Sequence, residues 1–290
     1  MAEVPLVFPP ADASRLEPHL PRLSARNDEN SAEISSCSTP FVTLTFATSL
    51  DSALSLGPGI RTALSGPQSK AMTHYLRSRH DAICVGVGTA VADDPGLNCR
   101  LAAECEAQAM SPATLTKKQP RPMVIDPLLR WDFSSDSKVM QLARSGKGLA
   151  PYIITTVAEP PINKKRLLED LGGKFLILDH PRSNRPSRGS DHGRLDWCSI
   201  LAAVRAEGMQ SIMIEGGGAV INSLLSAENN KLVDSVIITI APTWLGPGGV
   251  LVSPPREARP EDQPRPAARL TDTKWLPLGE DVVLCGRIAH

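Results

Sequence analysis

Net charge is the first thing this chain lacks. Lys plus Arg and Asp plus Glu each number 31 in 290 residues, so the formal charge at neutral pH is zero. A nucleic-acid or membrane-surface binder needs a basic excess, so both partner classes are disfavoured. Any phosphate on a ligand must then be met by locally placed cations or helix ends. Aromatic side chains are scarce too: two tyrosines and five phenylalanines leave little for stacking on bases. No apolar run reaches the roughly 20 residues of a membrane-spanning helix. The first residues lack the basic-then-apolar order of a secretory signal. The six cysteines (Cys37, Cys84, Cys99, Cys105, Cys198 and Cys285) include no CxxC pair. Reduced thiols in a cytoplasmic protein are therefore expected, and no metal site. The dinucleotide fingerprint GxGxxG is also absent.

What is present is an alternation of apolar strands with helices. Residues 1–38 are rich in Pro, Ser, Asn and charge without a clean period, and are expected to be a poorly ordered leader with room for one short helix. Order is expected from 39 to 290 as a single domain. Strands are read at 41–50 (FVTLTFATSL), 80–88, 121–126, 151–156, 174–179, 211–215, 234–242 and 281–289 from their β-branched and apolar content. Helices fit at 69–79, 134–145, 196–208 and 218–227. This order predicts an α/β three-layer fold on a central, mainly parallel sheet. The last two strands, joined by a long loop, predict an antiparallel end and hence a mixed sheet. Segments 103–120 and 253–269 lack strand or helix patterns and read as insertions, not domain boundaries.

Three stretches carry chemistry. In SIMIEGGGAVINSLLSA (211–227) a buried strand runs into three glycines and a helix. Glycines allow close backbone approach, and a helix N-terminus offers unpaired amides to a phosphate. A tight turn without a ligand is the plainer alternative. Glu215 ends that strand at the sheet edge where α/β folds bind ligands, although a capping or surface role is equally open.

The second stretch is GVGTAVADDPGLNCR (86–100). Adjacent Asp93 and Asp94 point apart and cannot easily chelate one metal. Pro95 pushes Asp94 out of helical geometry, so one helical turn should run from Thr89 to Asp93 and end at Asp94. Thr89 and Asp93, four apart, share a face suited to a ribose or amide. Asp94 reads as an ordinary turn residue. Arg100 could hold a phosphate bidentately. The third stretch, TSLDSALS (48–55), offers Asp51 as a cap or turn residue. Lys70 and Arg61 are candidate phosphate partners, though such cations are usually only solvated.

Taken in order, FVTLTFATSLD, HDAICVGVGTAVADDPGLNCR, MIEGGGAVINSLL and VDSVIITIAPTWLGPGG resemble the reductase family of riboflavin biosynthesis. That family comprises stand-alone fungal and archaeal enzymes and the C-terminal half of bacterial deaminase–reductases. The likeness runs from about residue 40 to the C-terminus, and GxGTxxxDDPxLxxR is its most specific part. The resemblance implies a dihydrofolate-reductase-like fold, NADPH as hydride donor and a homodimer. It also implies 2,5-diamino-6-ribosylamino-4(3H)-pyrimidinone 5′-phosphate as substrate, its ribosyl group reduced to ribityl. By analogy, Thr89, Asp93, Gly217, Gly218, Ala219, Val220 and Ile221 would contact NADPH. Leu97, Arg100 and Glu215 would contact the substrate, with Lys70 a further candidate for its phosphate. Glu215 would orient the substrate or assist proton movement. Ser52 departs from the glycine often found after SLD in the family. The HxE…PCxxC signature of the bacterial zinc deaminase is absent, which implies a single-function reductase acting before deamination. A same-fold reductase of the deaminated substrate or of a pterin remains the nearer alternative. A non-catalytic NADPH-binding module is the more distant one, disfavoured because Thr89, Asp93, Arg100 and Glu215 are all intact.

Overall fold

A computed structural model describes residues 6–22, 39–101, 119–179, 195–255 and 268–289. The chain order is α1 (Pro10–Leu16), β1 (Phe41–Thr48), β2 (Ala53–Ser55), α2 (Pro67–Arg79), β3 (Ala82–Gly86), α3 (Val87–Asp93), β4 (Arg121–Ile125) and α4 (Lys138–Arg144). It continues with β5 (Tyr152–Thr155), α5 (Ile162–Glu169), β6 (Lys174–Ile177), α6 (Trp197–Ala206), β7 (Ser211–Gly216), α7 (Gly218–Leu224), β8 (Ser235–Ile240), β9 (Val250–Leu251), β10 (Leu270–Leu278) and β11 (Asp281–Ile288).

The main sheet has nine strands in the order β10-β11-β8-β1-β7-β3-β4-β5-β6. From β8 to β6 every pairing is parallel; β11 runs antiparallel to both β8 and β10. This is the expected mixed, mainly parallel sheet. β1 lies in its interior between β8 and β7, which is why Val42–Phe46 is buried without a break rather than alternating. Successive side chains on each strand point to opposite faces. Val42, Leu44, Ala82, Cys84, Ile212 and Ile214 pack towards α6 and α7. Met213 and Ile237 face α1 and α2, while Ile83, Val85, Val124 and Ile153 lie under α3 and α4 on that same side. Three layers result.

Residues 6–22 differ from the expected poorly ordered leader. Phe8, Ala13, Leu16 and Leu20 are buried against α2 and the β10–β11 hairpin. Phe8 stacks on Tyr75 at 5.1 Å, Glu17 pairs with Arg79 and the Tyr75 hydroxyl, and Leu6 forms a parallel bridge with Leu101. The spacing of Ala13, Leu16 and Leu20 is that of one helical face, obscured in the sequence by surrounding proline and charge. Residues 1–5 and 23–38 lie outside the described residues. So do most of the two expected insertions, at 102–118 and 256–267.

The short strands β2 and β9 were not legible in the sequence, and neither were two longer elements, β10 and α5. β10 is a long edge strand whose first six residues are exposed or half-buried and which carries Pro277. Polar content and proline are how an edge strand resists further pairing, and they also hide it from a hydrophobicity reading. α5 is polar on most of its surface and buries only Leu168. The helix expected from 134 begins at Lys138, after Ser134–Ser137 form a turn.

Candidate active site

Because β1, β7 and β3 are parallel neighbours, their carboxyl ends emerge side by side. β3 ends at Gly86 and passes directly into α3. The helix stops at Asp94, whose φ of +40° breaks it as Pro95 requires. Asp94 then accepts the Lys138 amide at 3.1 Å on both oxygens, so it tethers α4 and serves as a turn residue. Asp93, one residue earlier, is half-buried. No hydrogen bond reaches its carboxylate among the described residues. Burial raises its pKa, and the charge of Arg61 acts in the opposite direction.

On β7 the glycine turn is built by close packing. Gly216 has φ +117°, open to glycine alone, and the Gly216–Gly217 peptide is cis. A Cβ on Gly218 would lie 2.4 Å from Val250 Cγ1, so β9 presses directly on the start of α7. The Gly217 amide donates to Thr89 Oγ1 at 3.0 Å, joining the β3 and β7 turns. The next amides, of Gly218, Ala219 and Val220, have no intrahelical acceptor. Ala219 is exposed and Val220 half-buried, whereas the Ile221 side chain is in the core. Ile221 can therefore offer a ligand only its main chain.

Glu215 is the penultimate residue of β7 and points to the α2 side, in phase with Met213. Both its oxygens are taken by Arg77: Nε donates to Oε1 and Nη2 to Oε2, each at 2.8 Å. This two-point clasp is 13% exposed at Arg77 and 17% at Glu215. Burial, the largest single influence, would lower the Arg77 pKa; the Glu215 charge and its hydrogen bonds, with a smaller contribution from Cys99, together outweigh it and the net direction is up. Arg77 Nη1 also donates to the Asn98 carbonyl at 3.1 Å. Sequence reasoning missed Arg77, since an arginine near the end of an amphipathic helix carries no local signal.

Lys70, His74 and Arg77 follow one another along the same stripe of α2. His74 is 4% exposed. Its Nδ1 lies 3.1 Å from the Arg100 amide, and its Nε2 lies 3.3 and 3.2 Å from Arg100 Nε and Nη2. Burial, then the charges of Arg77 and Arg100, push its pKa down to about 3, against a weaker opposing pull from the Asn98 backbone. The ring is neutral at physiological pH. Arg100 itself is exposed, as is Lys70. Leu97 is not: with φ +52° it turns its side chain into the core under α3, at 2% exposure. Only the Leu97 backbone could meet a substrate.

Asp51 accepts from Ser49 Oγ at 2.5 Å and from the Leu245 and Gly246 amides at 3.1 and 2.8 Å. These bonds, Ser49 first, hold its pKa at about 2. It closes the turn after β1 onto the TWLG loop and is structural. No group of three His, Cys, Asp or Glu suited to a metal occurs among the described residues, and no helix among them is long and apolar enough to cross a membrane.

The RibD C-terminal domain model matches residues 40–284. Named 2,5-diamino-6-ribosylamino-4(3H)-pyrimidinone 5′-phosphate reductases are similar over most of their length. That of Candida glabrata is 39% identical over 252 residues, 87% of this chain and 90% of that protein. That of Eremothecium gossypii is 38% identical over 296 residues and the whole of both chains. A solved structure of the riboflavin biosynthesis reductase of Saccharomyces cerevisiae superposes with a TM-score of 0.68 at 33% identity, covering 95% of this chain and 98% of that one. RibD of Acinetobacter baumannii, at 20% identity and a TM-score of 0.64 over 88% of this chain and 60% of its own, shares the fold.

Proposed function

This chain belongs to the RibD C-terminal domain family, and on that premise we propose that it is an NADPH-dependent reductase of 2,5-diamino-6-ribosylamino-4(3H)-pyrimidinone 5′-phosphate. The observation that carries the reading is Glu215, clasped by Arg77 one residue before the glycine turn. It places a fixed acceptor beside amides suited to a dinucleotide. The residues fit such a cofactor: three first-turn amides of α7 without helical acceptors lie near Thr89, and Asp93 has a carboxylate that accepts no hydrogen bond among the described residues. Thr89, Asp93 and the main chain of Gly217, Gly218, Ala219, Val220 and Ile221 would hold it. NADPH, when bound, supplies the hydride.

The sugar must open to an imine or aldehyde at C1′ before it can be reduced to the ribityl form. The protein's part is to bring that carbon into register and keep water away. Glu215, with both oxygens already held by Arg77, is assigned to orienting the substrate through its polar hydrogens, not to donating a proton. Arg100 and Lys70 supply cations for the 5′-phosphate. The same membership extends to a homodimer working in the cytoplasm. β8 lies between β11 and β1 and has no open edge, so edge-to-edge pairing with a second copy would use an outer strand, β10 with exposed Trp275 or β6 with exposed Ile177. Sedimentation giving a monomer mass at all concentrations would remove the dimer from this reading.

The deciding experiment offers the diamino-pyrimidinone phosphate and its deaminated counterpart side by side and follows loss of the NADPH absorbance band. Turnover on the first alone is expected. Turnover on the deaminated compound alone would correct the substrate, and NADPH binding without turnover on either would overturn the reading.

A further inference from the structure

We propose that His74 is a positioning residue for Arg100, anchoring the peptide from which the Arg100 guanidinium reaches the substrate phosphate. The inference rests on Arg100 binding that phosphate, as proposed above. Arg100 stands in a stretch without regular structure, yet its neighbours are held on every side. Gln119 takes both polar groups of the Cys99 peptide, accepting from N–H at 2.8 Å and donating to C=O at 3.0 Å. Leu101 is bridged to Leu6. Asn98 donates to the Lys147 carbonyl at 2.9 Å and accepts from Arg77 at 3.1 Å. The Arg100 amide is met by His74 Nδ1 at 3.1 Å.

A neutral imidazole has one lone pair and one N–H. Two sets of Arg100 donors approach this ring, the amide at Nδ1 and the guanidinium at Nε2. Only one set can be accepted. The amide offers one N–H in a direction fixed by the backbone, whereas the guanidinium carries several N–H donors on a long stem, so the lone pair belongs on Nδ1 and the proton on Nε2. In that tautomer the ring secures the peptide and takes no guanidinium donor. Its neutrality is what makes this possible. The charged groups facing it are Arg77 from α2 and Arg100 from the loop, both cationic, and the ring is buried between them. A protonated ring would lose the acceptor and repel both arginines.

The test is a double-mutant cycle on the Michaelis constant for the pyrimidinone phosphate, with kcat, NADPH affinity and melting temperature measured on each variant. His74→Ala is expected to raise KM about tenfold, equivalent to about 1.4 kcal/mol, with kcat and NADPH affinity within about twofold of the parent. Arg100→Ala is expected to raise KM further, and adding His74→Ala to it should have no additional effect. His74→Asn sets an amide oxygen near the position of Nδ1 and His74→Gln near that of Nε2, so Asn should recover more of the affinity than Gln. Should His74→Ala fold poorly, that Asn–Gln comparison carries the test alone. Additive effects with Arg100→Ala, or Asn no better than Gln, would overturn the inference. An unchanged KM in His74→Ala beside a raised one in Arg100→Ala would overturn it while leaving the phosphate role of Arg100 intact. An unchanged KM in Arg100→Ala would remove that role, and the inference with it.

Discussion

A carboxylate that accepts no hydrogen bond among the described residues, and feels only the charge of Arg61, sits at the end of α3. Burial raises the Asp93 pKa, so ionising this group costs the native state free energy. The sign follows from linkage. Below both its folded and unfolded pKa values Asp93 has no effect; above the raised folded value its charge destabilises the fold. Asp93→Asn should therefore melt higher than the parent at neutral pH, with the gain shrinking as pH falls through the raised pKa. The same change should weaken NADPH binding more than substrate binding. Calorimetry across pH with parallel cofactor titration checks both; a variant equally stable at every pH, or with unaltered NADPH affinity, would count against this role. Ser52 is a second residue kept under local cost. It lies at φ +62° and is exposed, where a side chain costs about 1 kcal/mol and glycine does not. That is a physical reason for the glycine often found there in the resembling family. Ser52→Gly is expected to raise the melting temperature by about 2 °C, read by calorimetry.

At the scale of elements, the small β2–β9 ribbon and α7 are fitted against each other through Gly218. Adding a methyl group there would drive Val250, and β9 with it, away from the glycine turn. Gly218→Ala should weaken NADPH binding about tenfold, and the double change Gly218→Ala with Val250→Ala should recover most of it by making room. No recovery would mean that the glycine is needed by the ligand and not by β9. The elements were unequally legible in the sequence. The continuous apolar runs of β1, β3 and β7 are buried on both faces and stand out for that reason. The turn at Asp94 was readable because Pro95 acts on its immediate neighbour. β10 was hidden by its exposure at the sheet edge, and α5 by having one buried side chain.

For the whole molecule, the N-terminal segment is part of the fold. Phe8, Ala13, Leu16 and Leu20 pack against α2 and the β10–β11 hairpin. Removing residues 1–22 should expose the surface they cover on α2 and the hairpin, lose at least about 3 kcal/mol and lower the melting temperature by about 6 °C or more. A truncated chain melting with the parent would show that the segment merely rests there. The amino-acid sequence by itself determined what depends on neighbours: strand runs, the α3 stop, and the glycines at the end of β7. Only the tertiary structure decided that Arg77 clasps Glu215, 138 residues away. It also decided that Leu97 turns inward and that His74 meets Arg100. Local periodicity records which face of an element is apolar. It does not record which polar side chain from another element arrives at a sheet edge, because that is set by crossover order and strand register, which bring distant segments together.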